Sequence, residues 1–379
     1  MVAQVGRVVE VATLADFDTL VAGGARRLRG WRLRGVDLRD RTAELIDLDP
    51  HGALVLGCRL SEPADDHLRD NGAVVFPELP QAPVDAYRAQ LYTPAELYAG
   101  IEHGYQRTPD ARIYAWSQFP GQGTADYVTR ALHDAAIEAA LDRLVAGRRV
   151  VGVMGGHATA RDEPGYVAAA RLGRALARGG ALVGTGGGPG AMEAVHLGAH
   201  LAGHDDGVLD LALAGLAAVP SFRPSIDRWA RAALDITARW PAVADEQRSG
   251  VGVPTWFYGH EPSNVFATSI AKYFQNSVRE ATLLRRCDGG IVFLPGAAGT
   301  VQEIFQDACE NYYAEGPLVA PMVLVGVEHW TERLPVWPLL VALARERAMA
   351  DRVALVDSVE EAARLLDGEL WPNADPPSS

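Results

Sequence analysis

Residues 290–303 combine a turn suited to binding an anion with a carboxylate placed to act on that anion. The apolar run Gly290–Leu294 ends at Pro295, and a helical pattern follows that contains Glu303. The start of a helix presents unpaired backbone N–H groups and the positive end of the helix dipole, and small residues let a phosphate come close. The pattern therefore predicts chemistry on a phosphorylated small molecule. The predicted phosphate-binding residues are Gly296, Ala297, Ala298, Gly299 and Thr300.

Two further glycine-rich turns follow apolar strand patterns, at 155–156 and 186–190. The carboxyl ends of parallel strands meet at one edge of a sheet, where α/β proteins bind their ligands, so we expect one shared nucleotide pocket. Two of its candidates have other interpretations, since Met192 is suited to core packing and His260 to a turn. The predicted pocket residues are Gly155, Gly156, Gly187, Gly188, Gly190, Met192, His260 and Asn276.

The elements that would position these residues alternate between strand and helix from about residue 121. Apolar strands separated by helical patterns predict an α/β fold with a doubly wound, mostly parallel sheet covered on both faces. We expect this domain over 121–370, with an irregular insertion at about 204–250. A smaller N-terminal α/β extension over 1–120 precedes it, and 371–379 form a disordered tail. No internal repeat is evident. The predicted strands are Val8–Val11, Ala53–Leu56, Ala73–Phe76, Val150–Met154, Ala181–Thr185, Pro254–Tyr258, Gly290–Leu294, Met322–Val325 and Val353–Val356, and a helix is predicted over Phe266–Arg285.

Composition argues against several functional classes. The net charge of −13 disfavours a nucleic-acid binder, and we interpret the seven arginines between 26 and 41 as a solvated face. No apolar run is long enough for a bilayer and the N-terminus lacks a signal-peptide core, so we expect a cytoplasmic protein without membrane contact. Three cysteines show no metal-binding spacing, and His196, His200 and His204 are better explained by a partly exposed helix face than by a zinc site.

Cofactor chemistry is constrained by the absence of particular motifs. Lys272 is the only lysine, so pyridoxal phosphate chemistry has a single candidate residue, and no phosphate loop adjoins it. No Gly-Lys-Ser or Gly-Lys-Thr occurs, which argues against a P-loop nucleotidase. A dinucleotide fingerprint starting at Gly184 would require glycine where Pro189 stands. We therefore expect neither a metal nor an organic cofactor.

Taken together, the motifs resemble the Lonely Guy (LOG) family, whose members are often labelled lysine decarboxylases. The resemblance lies in Val153–Gly156, Pro164–Gly173, Leu182–Glu193, Arg279 and Pro295–Glu303, and it covers roughly residues 148 to 366. The family carries a Pro-Gly-Gly-x-Gly-Thr-x-x-Glu motif, preceded by an arginine on the helix before that strand. Characterised members split a nucleoside 5′-monophosphate into free base and ribose 5-phosphate.

The resemblance implies the same N-glycosidic hydrolysis here, of a cytokinin riboside monophosphate or of an ordinary nucleotide. Arg279 and Glu303 would be catalytic, the substrate would be a nucleoside monophosphate, and the protein would be a homodimer or higher homo-oligomer. A carboxylate stabilises the oxocarbenium character that develops at the anomeric carbon or activates water. One alternative is a non-catalytic nucleotide or molybdenum-cofactor carrier on the same fold. Another is a dehydrogenase, which the broken fingerprint disfavours.

Three positions depart from the family pattern. Ala297 replaces the second glycine of the motif, and its methyl group would narrow the turn or require a negative φ. Glu280 stands where the family usually has a lysine after the arginine. His157 ends a turn that usually contains hydroxyl residues. The arginine and the glutamate themselves are retained.

Overall fold

The computed structural model describes residues 8–79, 82–119, 123–243, 250–257 and 261–367. The chain packs into two compact units. Unit 1 comprises residues up to 90 together with 119–140, and unit 2 comprises 91–118 together with 141 onwards. No helix in the described ranges is long and apolar enough to cross a membrane. The predicted tail at 371–379 lies outside the described residues.

Unit 2 is built on a parallel sheet of seven strands. The strands are β5 (Val150–Met154), β6 (Leu182–Thr185), β7 (Gly250–Gly252), β8 (Ser269–Ile270), β9 (Ile291–Phe293), β10 (Met322–Val325) and β11 (Val353–Val356). Their order across the sheet is β11-β10-β9-β5-β6-β7-β8. Strand β5 lies in the interior, and from it the chain builds β6, β7 and β8 to one side and β9, β10 and β11 to the other.

Helices accompany these strands along the chain. They are α4 (Pro94–Leu97), α5 (Pro109–Ser117), α7 (Pro164–Arg178), α8 (Ala191–His200), α9 (Asp206–Ala217), α10 (Ile226–Arg239), α11 (Asn276–Arg285), α12 (Ala298–Tyr313), α13 (Val336–Ala344) and α14 (Val359–Leu366), with α6 (Thr124–Val145) preceding β5. The helices that cover the sheet form two groups, one of α7, α8 and α14 and the other of α11, α12 and α13. The central strands are buried along their whole length, as a sheet covered on both faces requires. This arrangement confirms the doubly wound α/β fold.

The segment 9–76 of unit 1 forms an internal repeat of strand and helix, so the expectation of none was wrong. Its elements are β1 (Val9–Val11), α1 (Leu14–Ala22), β2 (Trp31–Arg34), α2 (Thr42–Ile46), β3 (Leu54–Leu56), α3 (Glu62–Asp70) and β4 (Val74–Phe76). The four parallel strands pair in chain order, and Val9 faces Trp31, Arg32 faces Leu54 and Leu54 faces Val74. Successive strands are therefore 20 to 22 residues apart, a spacing typical of solenoid repeats.

Equivalent positions of the repeat carry equivalent residues. Gly30, Gly52 and Gly72 precede successive strands with φ of +80°, +78° and +87°. Only glycine adopts this backbone at no steric cost, so each repeat needs one there. Leu33 and Val55 belong to one apolar core. The sequence signal was weak because only the glycines and the apolar spacing recur.

Three predicted elements of unit 2 differ from the structure. The strand predicted at Pro254–Tyr258 is instead β7 at Gly250–Gly252, because Pro254 has no N–H with which to continue the ladder. Tyr258 lies outside the described residues. The helix predicted from Phe266 begins only at Asn276, after the short strand β8. The segment expected to be irregular contains α9 and α10, whose buried residues Trp229, Ala233 and Ile236 follow the helical period.

Candidate functional site

The strand order places a topological switch between β5 and β9, where the direction of sheet building reverses. In doubly wound sheets the crevice at the carboxyl ends of such strands binds the ligand. The turn after β5 contains Gly155 and Gly156, and the turn after β9 contains Pro295. These turns touch, since the Gly156 N–H donates to the Pro295 carbonyl at 3.4 Å. Two of the three predicted glycine-rich turns therefore meet at this switch point.

The turn after β9 leads directly into α12, a helix of 16 residues. Its first N–H groups have no intrahelical carbonyl to bond, and the helix dipole adds positive potential there. Ala297 has φ −121° and ψ −145°. This negative φ is allowed for a residue with a side chain, so alanine fits in the turn where the family motif has glycine. Gly296 is needed, because a Cβ there would lie 2.1 Å from the Thr300 Oγ1. The imidazole of His329 bonds the Gly296 carbonyl at 3.0 Å and supports the turn.

The turn after β6 packs against the turn after β5. Gly190 has φ +74°, and a Cβ there would lie 2.5 Å from the Gly156 carbonyl oxygen. Gly187 has φ +72° and lies against Pro254. Both positions combine a left-handed backbone with a close approach, so only glycine fits them. All three glycine-rich turns therefore lie together at the carboxyl edge of the sheet.

Asn264 holds the turn after β6 and was not singled out from the sequence. The Asn264 N–H donates to the Gly187 carbonyl at 2.9 Å, and its side-chain amide donates to the Gly188 carbonyl at 3.1 Å. The side chain is fully buried, and its oxygen faces the imidazole of His196 at 3.2 Å. An asparagine in a loop carries no sequence signal for such a role, because its partners lie far away along the chain.

Met192 lies over the turn after β6. Its thioether lies beside Gly186 and Gly188, and its side chain is half-buried. The Glu261 carboxylate lies beside Gly188 and 3.8 Å from the ring of the exposed His157. The neighbouring predicted pocket residue, His260, lies outside the described residues.

Arg279 joins three elements around the site. Its Nε donates to the Val253 carbonyl at 2.7 Å and its Nη2 to the Gly186 carbonyl at 3.5 Å. Its Nη1 lies 3.5 Å from the Glu303 Oε1, and the two side chains are only 11% and 14% exposed. The guanidinium is therefore fixed between the ends of β6 and β7 and the first turns of α12. The sequence singled out both residues, and the structure brings them together.

Glu303 is a carboxyl group that is hard to ionise. Burial raises its pKa from 4.5 to about 7, the positive charge of Arg279 lowers it, and the negative charge of Glu280 raises it further. A carboxyl group with a pKa near neutrality exchanges protons readily at physiological pH. This is the property expected of an acid or base in a reaction centre.

Glu280 is buried, and two amide groups hold its carboxylate. The Asn276 Nδ2 donates to its Oε1 at 2.7 Å, and the Gln302 Nε2 donates to its Oε2. Asn276, predicted to contact the nucleotide, therefore serves to orient Glu280. Glu280 lies on α11 and Glu303 lies on α12. These two helices contact each other, so the two acids are on neighbouring helices.

Two other sequence candidates have structural partners away from the site. Lys272, the only lysine, is 1% exposed and donates to the Asp110 carboxylate at 2.7 Å and to the Ser263 hydroxyl at 3.0 Å. His200 and His204 bond the backbone carbonyls of residues 240 and 241 at 2.8 Å each. The described residues contain no group of three or more potential metal ligands.

Comparison with known proteins identifies similar sequences and folds for part of the chain. Residues 148–209, which include β5 to α8, match the model of the SLOG cluster4 family. This match does not single out the Lonely Guy nucleotide nucleosidases. The comparison with curated protein sequences gave no significant match.

Two solved structures are similar to the chain. The molybdenum cofactor binding protein from the phototrophic bacterium Rippkaea orientalis is 16% identical, and the match covers 58% of this chain and 96% of that one with a TM-score of 0.37. The structural-genomics target TM1055 is 19% identical, and the match covers 58% of this chain and 99% of that one with a TM-score of 0.37.

Proposed function

We propose that the protein hydrolyses the N-glycosidic bond of a nucleoside 5′-monophosphate, releasing free base and ribose 5-phosphate. The observation that carries this proposal is the Arg279–Glu303 pair, which lies beside the start of α12 at the switch point of the sheet. A dianionic phosphate fits the N–H groups of that helix start. The sugar attached to the phosphate would then lie within reach of the Glu303 carboxyl group, whose pKa is about 7.

Each group has a defined task in this reaction. The N–H groups at Gly296–Thr300 and the Thr300 hydroxyl hold the 5′-phosphate, so that binding energy remote from the reacting bond positions the sugar. The Glu303 carboxylate stabilises the positive charge that develops at the anomeric carbon, or accepts a proton from the attacking water. Arg279 orients Glu303 and adds positive potential near the phosphate. These steps require no metal or organic cofactor.

The proposal is tested by incubating the full chain with a panel of nucleoside 5′-monophosphates and the matching nucleosides. Chromatography should show release of free base and ribose 5-phosphate from the monophosphates and little or none from the nucleosides, which lack the anchor. Glu303→Gln should reduce the release by about 10²- to 10⁴-fold. The matched control, Glu310→Gln, changes an exposed residue of the same helix and should leave the rate unchanged.

Two other outcomes would contradict the proposed function or the role of Glu303 in it. Saturable binding of nucleotides without release of base would contradict hydrolysis and favour a nucleotide or molybdenum-cofactor carrier. Full release in Glu303→Gln would show that another group carries the chemistry.

A further inference from the structure

We propose that Glu280 is a positioning residue that controls the charge on Glu303, so that the site is active only where Glu303 has lost its proton. The proposal rests on the proposed function of the same site. It assigns a task to Glu280, one of the positions at which this chain departs from the resembled family. Gln302, which precedes Glu303, bonds the Glu280 carboxylate, and Arg279, which precedes Glu280, reaches the Glu303 carboxyl group, so the two acids act on one another across α11 and α12.

The geometry holds the Glu280 carboxylate in one place. The side chain is 7% exposed, and both of its oxygens accept bonds from amide groups, those of Asn276 and Gln302. An amide NH₂ group only donates, so this arrangement suits a carboxylate. Within the described part of the chain, no cation lies within salt-bridge distance of Glu280. Its negative charge is therefore fixed in position and lacks a partner of opposite charge.

Arg279 offsets this charge only in part. Two of its three nitrogens donate to the backbone carbonyls of Val253 and Gly186, and the third lies 3.5 Å from the Glu303 Oε1. The guanidinium thus cannot turn to form a two-pronged bond with Glu303. The single contact of 3.5 Å between Arg279 and Glu303 therefore does not cancel the effect of the Glu280 charge, which raises the pKa of Glu303.

Two further titratable groups lie near Glu303 on the packed elements, and burial disfavours the charged form of each. Burial raises the pKa of Asp307, one turn further along α12, well above its usual value. Burial likewise raises the pKa of the Cys287 thiol, just beyond α11. The charges that act on the Glu303 carboxyl group are those of Arg279, which lowers its pKa, and of Glu280, which raises it.

The direct test is a titration of the Glu303 carboxyl carbon by ¹³C NMR in the full chain labelled at glutamate. The signal is assigned by its absence in Glu303→Gln. The midpoint should fall by about one pH unit in Glu280→Gln, which removes a negative charge beside the carboxyl group, and further in Glu280→Lys, which also adds a positive charge there. The matched control, Glu310→Gln, should leave the midpoint unchanged.

Two readouts separate this inference from the proposed function. The NMR titration needs no substrate, so it tests the influence of Glu280 even if no nucleotide is cleaved. If base is released, the acidic limb of the pH–rate profile should move to lower pH by the same amount as the NMR midpoint. An unchanged midpoint in a folded Glu280→Gln protein would overturn the proposal, and Glu280→Lys keeps the test available if the amide variant does not fold.

Discussion

The Arg279–Glu303 pair combines a guanidinium held in one position with a carboxyl group whose pKa is raised. Arg279 uses most of its hydrogen-bonding capacity on backbone carbonyls, which fixes its position. Glu303 is desolvated and has a pKa of about 7. A fixed cation beside a carboxyl group that gains and loses protons near neutrality is typical of a reaction centre. The same burial that tunes Glu303 also costs folding free energy.

The first prediction concerns Arg279. Arg279→Lys keeps the charge but cannot bond Val253 and Gly186 while also reaching Glu303, because an ammonium group lacks the planar fork. We expect kcat/KM for base release to fall by about 10- to 100-fold, as expected for a small misplacement of a positioned group. Arg285→Lys, at the exposed end of the same helix, is the control and should retain full activity. Equal loss in both variants would contradict the prediction.

The second prediction concerns the pH dependence of stability. The folded-state pKa of Glu303, about 7, lies above its usual value of 4.5. Protonation therefore stabilises the folded state fully below about pH 4.5, and this stabilisation is lost as the pH rises through 7. The Glu303→Gln variant has no such dependence, because an amide does not titrate. Relative to that variant, the wild-type free energy of unfolding should fall by up to about 3 kcal/mol between about pH 4.5 and pH 8.

Urea unfolding of both proteins at several pH values measures this difference. A constant difference across the range would mean that Glu303 titrates normally. The same result would contradict a role for Glu303 as an acid or base with a pKa near neutrality.

At the scale of elements, the site depends on helices that approach each other closely. A Cβ on Gly173 of α7 would lie 2.0 Å from the Val195 carbonyl oxygen, and a Cβ on Gly198 of α8 would lie 1.8 Å from the Ala170 carbonyl oxygen. The backbones of α7 and α8 are therefore in contact, which fixes α8 and the glycine-rich turn that precedes it. Ala170 and Gly173, in the segment Pro164–Gly173 that resembles the family, lie at this contact.

The third prediction tests this packing. Gly198→Ala should reduce the free energy of unfolding by at least about 2 kcal/mol, because a methyl group there overpacks two backbones. Gly207→Ala, on α9, is the control, since a Cβ at that position meets nothing within 4 Å. It should be neutral or stabilising by up to about 1 kcal/mol. Denaturant unfolding distinguishes the two, and equal stabilities would contradict the close approach.

At the scale of the whole molecule, the chain consists of two units of different construction. Unit 2 has a doubly wound sheet that carries all of the described candidate site residues. Unit 1 is a short parallel repeat in which each strand pairs with the next along the chain. Since each repeat contacts its neighbours, its stability rests on local stacking.

The fourth prediction concerns assembly. The family resemblance implies a homodimer or a higher homo-oligomer, and we expect light scattering coupled to gel filtration to give at least twice the chain mass of 40.6 kDa. The mass should not change between low and moderate salt if apolar contacts hold the subunits together. A mass equal to that of one chain across the micromolar range would contradict this expectation.

Local sequence patterns identified much of the site. The three glycine-rich turns and Glu303 were singled out because each lies next to an apolar strand pattern or a helical pattern, whereas Arg279 was singled out by the family resemblance. Two other segments were predicted wrongly. The stretch expected to be irregular contains α9 and α10, although the buried residues of α10 follow the helical period, and the helix predicted from Phe266 begins only at Asn276. The repeat in unit 1 was also missed, because its strands have only 3 or 4 residues each. Short strands give too few alternations to be distinguished from other apolar runs.

The sequence by itself determined that strands and helices alternate, that glycine-rich turns follow the strands, and that a glutamate follows the turn at Pro295; Arg279 was singled out by the family resemblance. Only the tertiary structure decided that β5 lies beside β9, that Arg279 is held by Val253 and Gly186, and that the charge of Glu280 acts on Glu303. The order of strands depends on contacts between residues far apart in the chain. The acidity of Glu303 depends on burial, which exists only once those contacts have formed.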